Sequence, residues 1–170
     1  MTGAGPHRAV ASDRQLAQAN VARLRHPVGD PRVAGFVAAL DRVNHLADHA
    51  PGFVWRHVAE HGHVAVSDED PLVVLNISVW RDYPALHAFT YRSHHGHFTR
   101  RRAEWFERLP QPSTVLWWVA AGTHPTPADA LARLAHLRRH GPTPSAFSLR
   151  ARFDGSGRPE RRRGRLADQE

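Results

Sequence analysis

Between residues 15 and 24 the chain reads QLAQANVARL, and Ala17, Ala19 and Val21 alternate there with Leu16, Gln18, Asn20 and Ala22. A two-residue period is that of a strand with two unlike faces, and the second of these carries two amides. Asp30-Pro31 then offers an N-cap acceptor and a first-turn residue of fixed φ. Val33, Phe36, Val37, Leu40, Val43 and Leu46 or Ala47 follow at three- and four-residue steps, and Pro51-Gly52 ends the run. That spacing predicts an amphipathic helix. FVWRHVA (53–59) reads as the next strand, and EHGHVAVSDEDP after it supplies turn residues.

LVVLNISVW (72–80) is rich in branched and aromatic residues and contains no breaker. Val73, Leu75, Ile77 and Val79 make one apolar row, and Val74, Asn76, Ser78 and Trp80 make a mixed one. A second helix is predicted from Tyr83-Pro84 to Leu109, where Pro110 and Pro112 stop it. STVLWWVAA (113–121) is a further strand. Thr126-Pro127-Ala128-Asp129 has capping-box spacing and opens a short helix through Leu131, Leu134 and Ala135 to Gly141. PTPSAFSL follows as an extended arm.

Strand–helix–strand occurs twice in this order, which predicts an α+β, ferredoxin-like split βαβ fold. Its four-stranded antiparallel sheet has two helices on one face, with the C-terminal helix as an extra. The first and third strands lie side by side at its centre. Residues 1–13 are read as a flexible N-terminus, 14–150 as a single domain and 151–170 as a basic disordered tail. A single layer leaves one apolar face in water. Both rows of the central strands hold apolar residues, so a homodimer covering that face is expected.

Composition narrows the chemistry. A chain of 170 residues with 41% hydrophobic content has the core of one domain. With no cysteine, disulfides, thiolate catalysis and iron–sulfur clusters are excluded. All 23 basic residues are arginine, a pattern expected from a GC-rich genome. The formal charge of +7 is concentrated between Arg150 and Arg165, where only Asp154 and Glu160 oppose it. The folded part is therefore near neutral, which argues against nucleic acid or an acidic membrane as partner. RPERRRGR lacks the interleaved aromatics of a stacking platform and reads as a solubilising tail. No apolar run approaches the length of a membrane span and no signal pattern precedes the first strand, so a cytoplasmic location is expected. P-loop, dinucleotide, nucleophile-elbow and HExxH motifs are absent.

From about Gln15 to Leu149 the chain resembles a bacterial family known as domain of unknown function 3291, in the dimeric α/β-barrel superfamily. The resemblance is carried by LAQANVARL, DPRVAGFVAALDRVNHLAD, PGFVWR, LVVLNISVW, FTYRSHHGHFTRRRAEWFERL, LWWVAAG and PTPADALARLAHLRRHGPTPSAFSL. It implies cofactor-free monooxygenases, haem-degrading or haem-dependent enzymes, or simple binding proteins. Ser93-His94-His95, following a strand that ends in Trp80, is similar to the Ser-x-His of antibiotic-biosynthesis monooxygenase-like domains.

The residues themselves suggest a pocket between the second helix and the sheet. At 100° per residue Tyr91, His95, Phe98, Arg102, Trp105 and Leu109 share one stripe, with His87 and His94 at its margin and His97 and Arg101 away from it. One choice of strand register sets Gln18 and Asn20 beside Asn76, Ser78 and Trp80, facing His95. Buried amides and hydroxyls need partners, waters or a ligand, so a partly polar cavity is expected, with a self-satisfied network as the alternative. In the catalytic reading His95 moves a proton, while Asn20, Asn76 and Trp80 orient or polarise the substrate. Gln18, Ser78, Tyr91, Phe98, Arg102, Trp105 and Trp118 line a site for a small hydrophobic or aromatic molecule. No cofactor is required by this reading, a cofactor-independent monooxygenase being what the resemblance implies. The alternatives are haem, with His95 as axial ligand, and a non-catalytic binding module. The doublet leaves open which of His94 and His95 turns inward. His57, His61 and His63 approach metal-ligand spacing but read as exposed strand-turn residues, and Arg100 to Arg102 as a solvated face.

Overall fold

Alternation in the first strand sets the layering. The structure, a computed structural model, describes residues 13–59, 65–93, 102–109 and 111–160. β1 (Arg14–Arg23) lies at the centre, and β2 (Phe53–Arg56) and β3 (Ala65–Val66) at one edge. β4 (Val73–Trp80) lies between β1 and that edge, and β5 (Thr114–Ala120) on the other side of β1. Every pairing is antiparallel, in the order β2-β4-β1-β5 with β3 also on β4. α1 (Ala34–Asp48) connects β1 to β2, α2 (Tyr83–Ser93) follows β4, and α3 (Pro127–His140) follows β5. This is the split βαβ, ferredoxin-like α+β arrangement that the sequence predicts. β3 is an addition to it: Ala65 and Val66, placed among turn residues by the sequence, pair with Leu75 and Val74.

Each face of the sheet has its own core. On one face Leu16, Trp80 and Leu116 pack with Ala47 of α1 and Ala85 and Leu86 of α2. Further along the same face Val74 and Leu24 pack with Val33, Phe36, Leu40, Trp105 and Phe106. The opposite face, with Ala17, Ala19, Ile77, Val79, Val115 and Trp117, lies under Ala130, Leu134 and Leu137 of α3. Ala17, Ala19, Val79 and Val115 are 0% exposed within the single chain. The face for which the sequence called up a second copy is thus covered by the chain's own third helix. That helix is firmly ended. Thr126 and Asp129 close a capping box, and Gly141, at φ 71°, donates its N–H to Leu137 O.

Two expected boundaries move. The second helix does not run to Leu109: α2 is described through Ser93, a helical turn occupies 102–105, and Phe106 forms a β-bridge with Leu24. Arg25 N–H donates to Trp105 O, Glu107 N–H donates to Arg23 O, and the Arg23 guanidinium pairs with both Asp70 and Glu107. Backbone pairing with the end of β1 therefore outcompetes another helical turn. Residues 151–160, read from the sequence as part of the tail, are packed against the domain. Phe153 packs against Phe147 (5.9 Å between centroids), its carbonyl accepts from Trp118 Nε1 at 2.7 Å, and a turn around Asp154 returns the chain to Pro159. One aromatic ring and one saturated turn give this segment the burial that its arginine content obscured.

Candidate functional site

Cross-strand partners point to the same side of a sheet, so the two registers of β1 define a grid on the face that carries α1 and α2. Asn76, Asn20 and Thr114 form one row, Ser78, Gln18 and Leu116 the next, and Trp80, Leu16 and Trp118 the third. Neighbouring strands stand about 4.8 Å apart, so each row is roughly 10 Å across. The first row is wholly polar and the third wholly apolar. Beyond the polar row lie Val74 and Ala22, in the cluster around Phe36. A polar strip thus separates two hydrophobic clusters on one face.

Part of the strip satisfies itself. Trp80 Nε1–H donates to Ser78 Oγ at 2.9 Å, and Ser78 Oγ–H donates to Gln18 Oε1 at 2.9 Å. Trp80 is 1% exposed, held between Phe53 (5.4 Å, edge-on) and Phe89 (5.0 Å, stacked), so it shapes the floor from below. Thr114 Oγ1 donates to Asn20 Oδ1 at 3.3 Å. The remaining amide groups differ. Neither the Asn76 side chain nor the Asn20 NH2 is hydrogen-bonded to another described residue, and both residues are half-buried.

α1 adds a group that the sequence reading passed over. Its inward stripe runs Phe36, Leu40, Asn44, Ala47; Phe36 and Leu40 belong to one cluster and Ala47 to the other. Asn44 stands between them, 8% exposed, and its side chain is hydrogen-bonded to no other described residue. No buried side-chain nitrogen or oxygen is left without a partner among the described residues. The Asn44 amide therefore opens onto space that water reaches. An asparagine at a core position of an amphipathic stripe is the signal that was available. Arg56 was also missed: it pairs across from Ser78, extends the second row, and is tied to Asp48 of α1 by bonds of 2.8 and 3.1 Å. That guanidinium holds the Asp48 carboxyl below the usual carboxylate range.

The stripe proposed for the second helix fares differently. Tyr91 is 68% exposed, on the side of α2 away from Leu86 and Phe89, and so does not line the strip. Arg102 is likewise exposed, its guanidinium 6.0 Å from the Phe106 ring centroid. Both are corrected outward: Leu86 and Phe89, not Tyr91, carry the inward side of α2, and Trp105 and Phe106, not Arg102, are buried in the later turn. Trp105 is inward, but as a core residue against Phe36 at 6.1 Å. Trp118 is half-buried at the apolar end of the grid. His94, His95, His97, Phe98, Arg100 and Arg101 lie outside the described residues, as do His61 and His63. His57 is half-buried, edge-on to Trp55 at 6.2 Å. No group of three potential metal ligands converges among the described residues, and no described helix is long and apolar enough to cross a membrane.

A family model described as a domain of unknown function (DUF3291) matches residues 15–163. The chain belongs to this family. The match runs past the extended arm and includes the Phe153 turn, in keeping with the packing of that segment. Among curated proteins none matches. Solved structures similar to the chain include a protein of Pseudomonas aeruginosa, at 12% identity and TM-score 0.47, covering 68% of this chain and 100% of that one. Another is a putative antibiotic biosynthesis monooxygenase from Nitrosomonas europaea (15%, TM-score 0.44, 67% and 94% covered). A third is SnoaB, a cofactor-independent oxygenase from Streptomyces nogalater (16%, TM-score 0.39, 68% and 99% covered). Likeness at this level leaves the fold assignment to the strand order, on which it stands.

Proposed function

We propose that this DUF3291 chain binds a small, partly aromatic molecule on the helix-bearing face of its sheet, over the polar strip. The observation that carries the reading is the set of three asparagines, Asn20, Asn44 and Asn76, set between two hydrophobic clusters with amide donors committed to no described residue. Amide N–H groups pre-positioned in a partly dry site suit a carbonyl or phenolic oxygen, and they favour it more as negative charge builds there. The hydrophobic clusters on either side suit the rest of such a molecule.

The catalytic form of the reading keeps His95 as the group that removes a proton from a weakly acidic C–H or O–H, with Asn20 and Asn76 receiving the developing oxyanion. An electron-rich anion of that kind reacts with dioxygen directly, which is the cofactor-free oxygenation that the superfamily resemblance implies. Trp80 acts only through Ser78 and Gln18, as a positioning residue.

Native mass spectrometry of the purified chain, before and after mild denaturation, tests the binding step by revealing any co-purified small molecule. Asn76→Ala and Asn20→Ala are expected to lower its occupancy at least tenfold with the fold retained by circular dichroism. Occupancy unchanged in both variants would overturn the site. His95→Ala separates the two forms: retained binding with lost turnover fits catalysis, and unchanged turnover removes His95 from it.

A further inference from the structure

We propose a second site, on the solvent side of α2, for a small aromatic carboxylate. Tyr83, His87 and Tyr91 stand one helical turn apart and form a ladder of rings, with centroids separated by 5.7 Å and 6.5 Å and planes inclined by 37° and 15°. The C-terminal arm runs past the first turns of this helix. Between them lies an open groove of about 500 Å³ lined by Tyr83, Pro84, His87, Leu149, Arg150 and Arg152. It is remote in character from the strip, because Leu86 and Phe89 turn the other side of α2 to the sheet.

The two arginines have different employment. Arg152 is committed: its guanidinium carbon sits 3.8 Å from the Tyr83 ring centroid, and its Nε pairs with Glu160 at 3.1 Å. Arg150 is exposed, and its guanidinium has no hydrogen-bond or ion-pair partner among the described residues. Glu160 being neutralised by Arg152, the groove keeps the positive charge of Arg150. A guanidinium fork matches a carboxylate with two parallel hydrogen bonds. The exposed His87 ring and the 45% exposed Leu149 offer a planar and an apolar surface beside it. An exposed ion pair alone is weak, as is one exposed stacking contact. The occupant that uses both is a flat ring carrying an acid.

Benzoate, titrated against the full-length chain and followed by ligand-observed NMR, tests this. Benzoate is expected to bind at least fivefold more tightly than acetate, which lacks the ring, and than benzyl alcohol, which lacks the charge. Arg150→Ala and His87→Ala are each expected to weaken it at least fivefold, Arg150→Lys less than Arg150→Ala, and Arg139→Ala on exposed α3 not at all. Equal binding of benzoate and acetate, or unchanged binding in Arg150→Ala, would overturn the proposal. Loss in Asn76→Ala with retention in Arg150→Ala would move the molecule to the strip and equally overturn it. The strip itself is unaffected by failure here, because its own test reads a different molecule through different residues.

Discussion

Replacing Ser78 by alanine tests the account of the strip most directly. Ser78 Oγ accepts the Trp80 indole N–H and donates to Gln18, both at 2.9 Å. Trp80 is 1% exposed, so in Ser78→Ala its N–H loses its acceptor where water cannot replace it. A buried donor left unpaired costs about 1–3 kcal/mol. Gln18 Oε1 belongs to a half-buried residue and can recover a water, so its share is about 0.5 kcal/mol. The sum is near 2 kcal/mol, or a fall of about 4–8 °C in Tm for a domain of this size. Urea unfolding followed by far-UV circular dichroism measures it. Trp80→Phe supplies the control, because with the donor gone Ser78→Ala should cost only about 0.5–1 kcal/mol, leaving a coupling energy of about 1 kcal/mol. A cost below about 0.5 kcal/mol in the native background, or the same cost in both, would refute the chain from indole to hydroxyl to amide.

Three further outcomes follow from the fold. Leu134, 1% exposed under the sheet, should cost about 2–5 kcal/mol when cut to alanine; light scattering of the variant should also detect association, since α3 is what covers that apolar face. Asp129 and Asp48 are held below the usual carboxylate range, Asp129 by hydrogen bonds from Thr126 and Asp48 by Arg56. Their contribution is present above the unfolded-state value near 4 and is lost as pH falls through the folded-state values. The urea midpoint should therefore drop on acidification below about pH 4, and less steeply in Asp48→Asn; Thr126→Ala, which breaks the capping box, should cost about 1 kcal/mol at neutral pH. Gly52 has φ 82°, and a Cβ there would meet Ala85 Cβ at 2.5 Å. Gly52→Ala should thus destabilise by more than about 1 kcal/mol, and a neutral result in thermal melts would show that the β2–α2 contact gives way.

The strip was legible because strand faces are a local property. Gln18 and Asn20, and Asn76 and Ser78, share faces by two-residue alternation, and a single register between two strands was enough to bring the pairs together. Tyr91 and Arg102 were misplaced because the stripe was drawn through them, whereas Leu86 with Phe89 and Trp105 with Phe106 set the inward side. Nothing near Phe106 in sequence announces that it will pair with Leu24.

Residue order alone was enough for β1, β2, β4 and β5, for the two sides of each, for the Asp30 cap of the turn that leads into α1, and for the capped start of α3 at Thr126. It also determined the absence of thiol chemistry. Each of these depends on residues within one turn or one pleat of one another. It took long-range packing to lay α3 over the second face, Phe153 on Phe147, Thr114 beside Asn20 and Arg56 beside Ser78. Those are contacts between segments far apart in the chain, chosen by which apolar surfaces find complementary cover, and no local pattern encodes that choice.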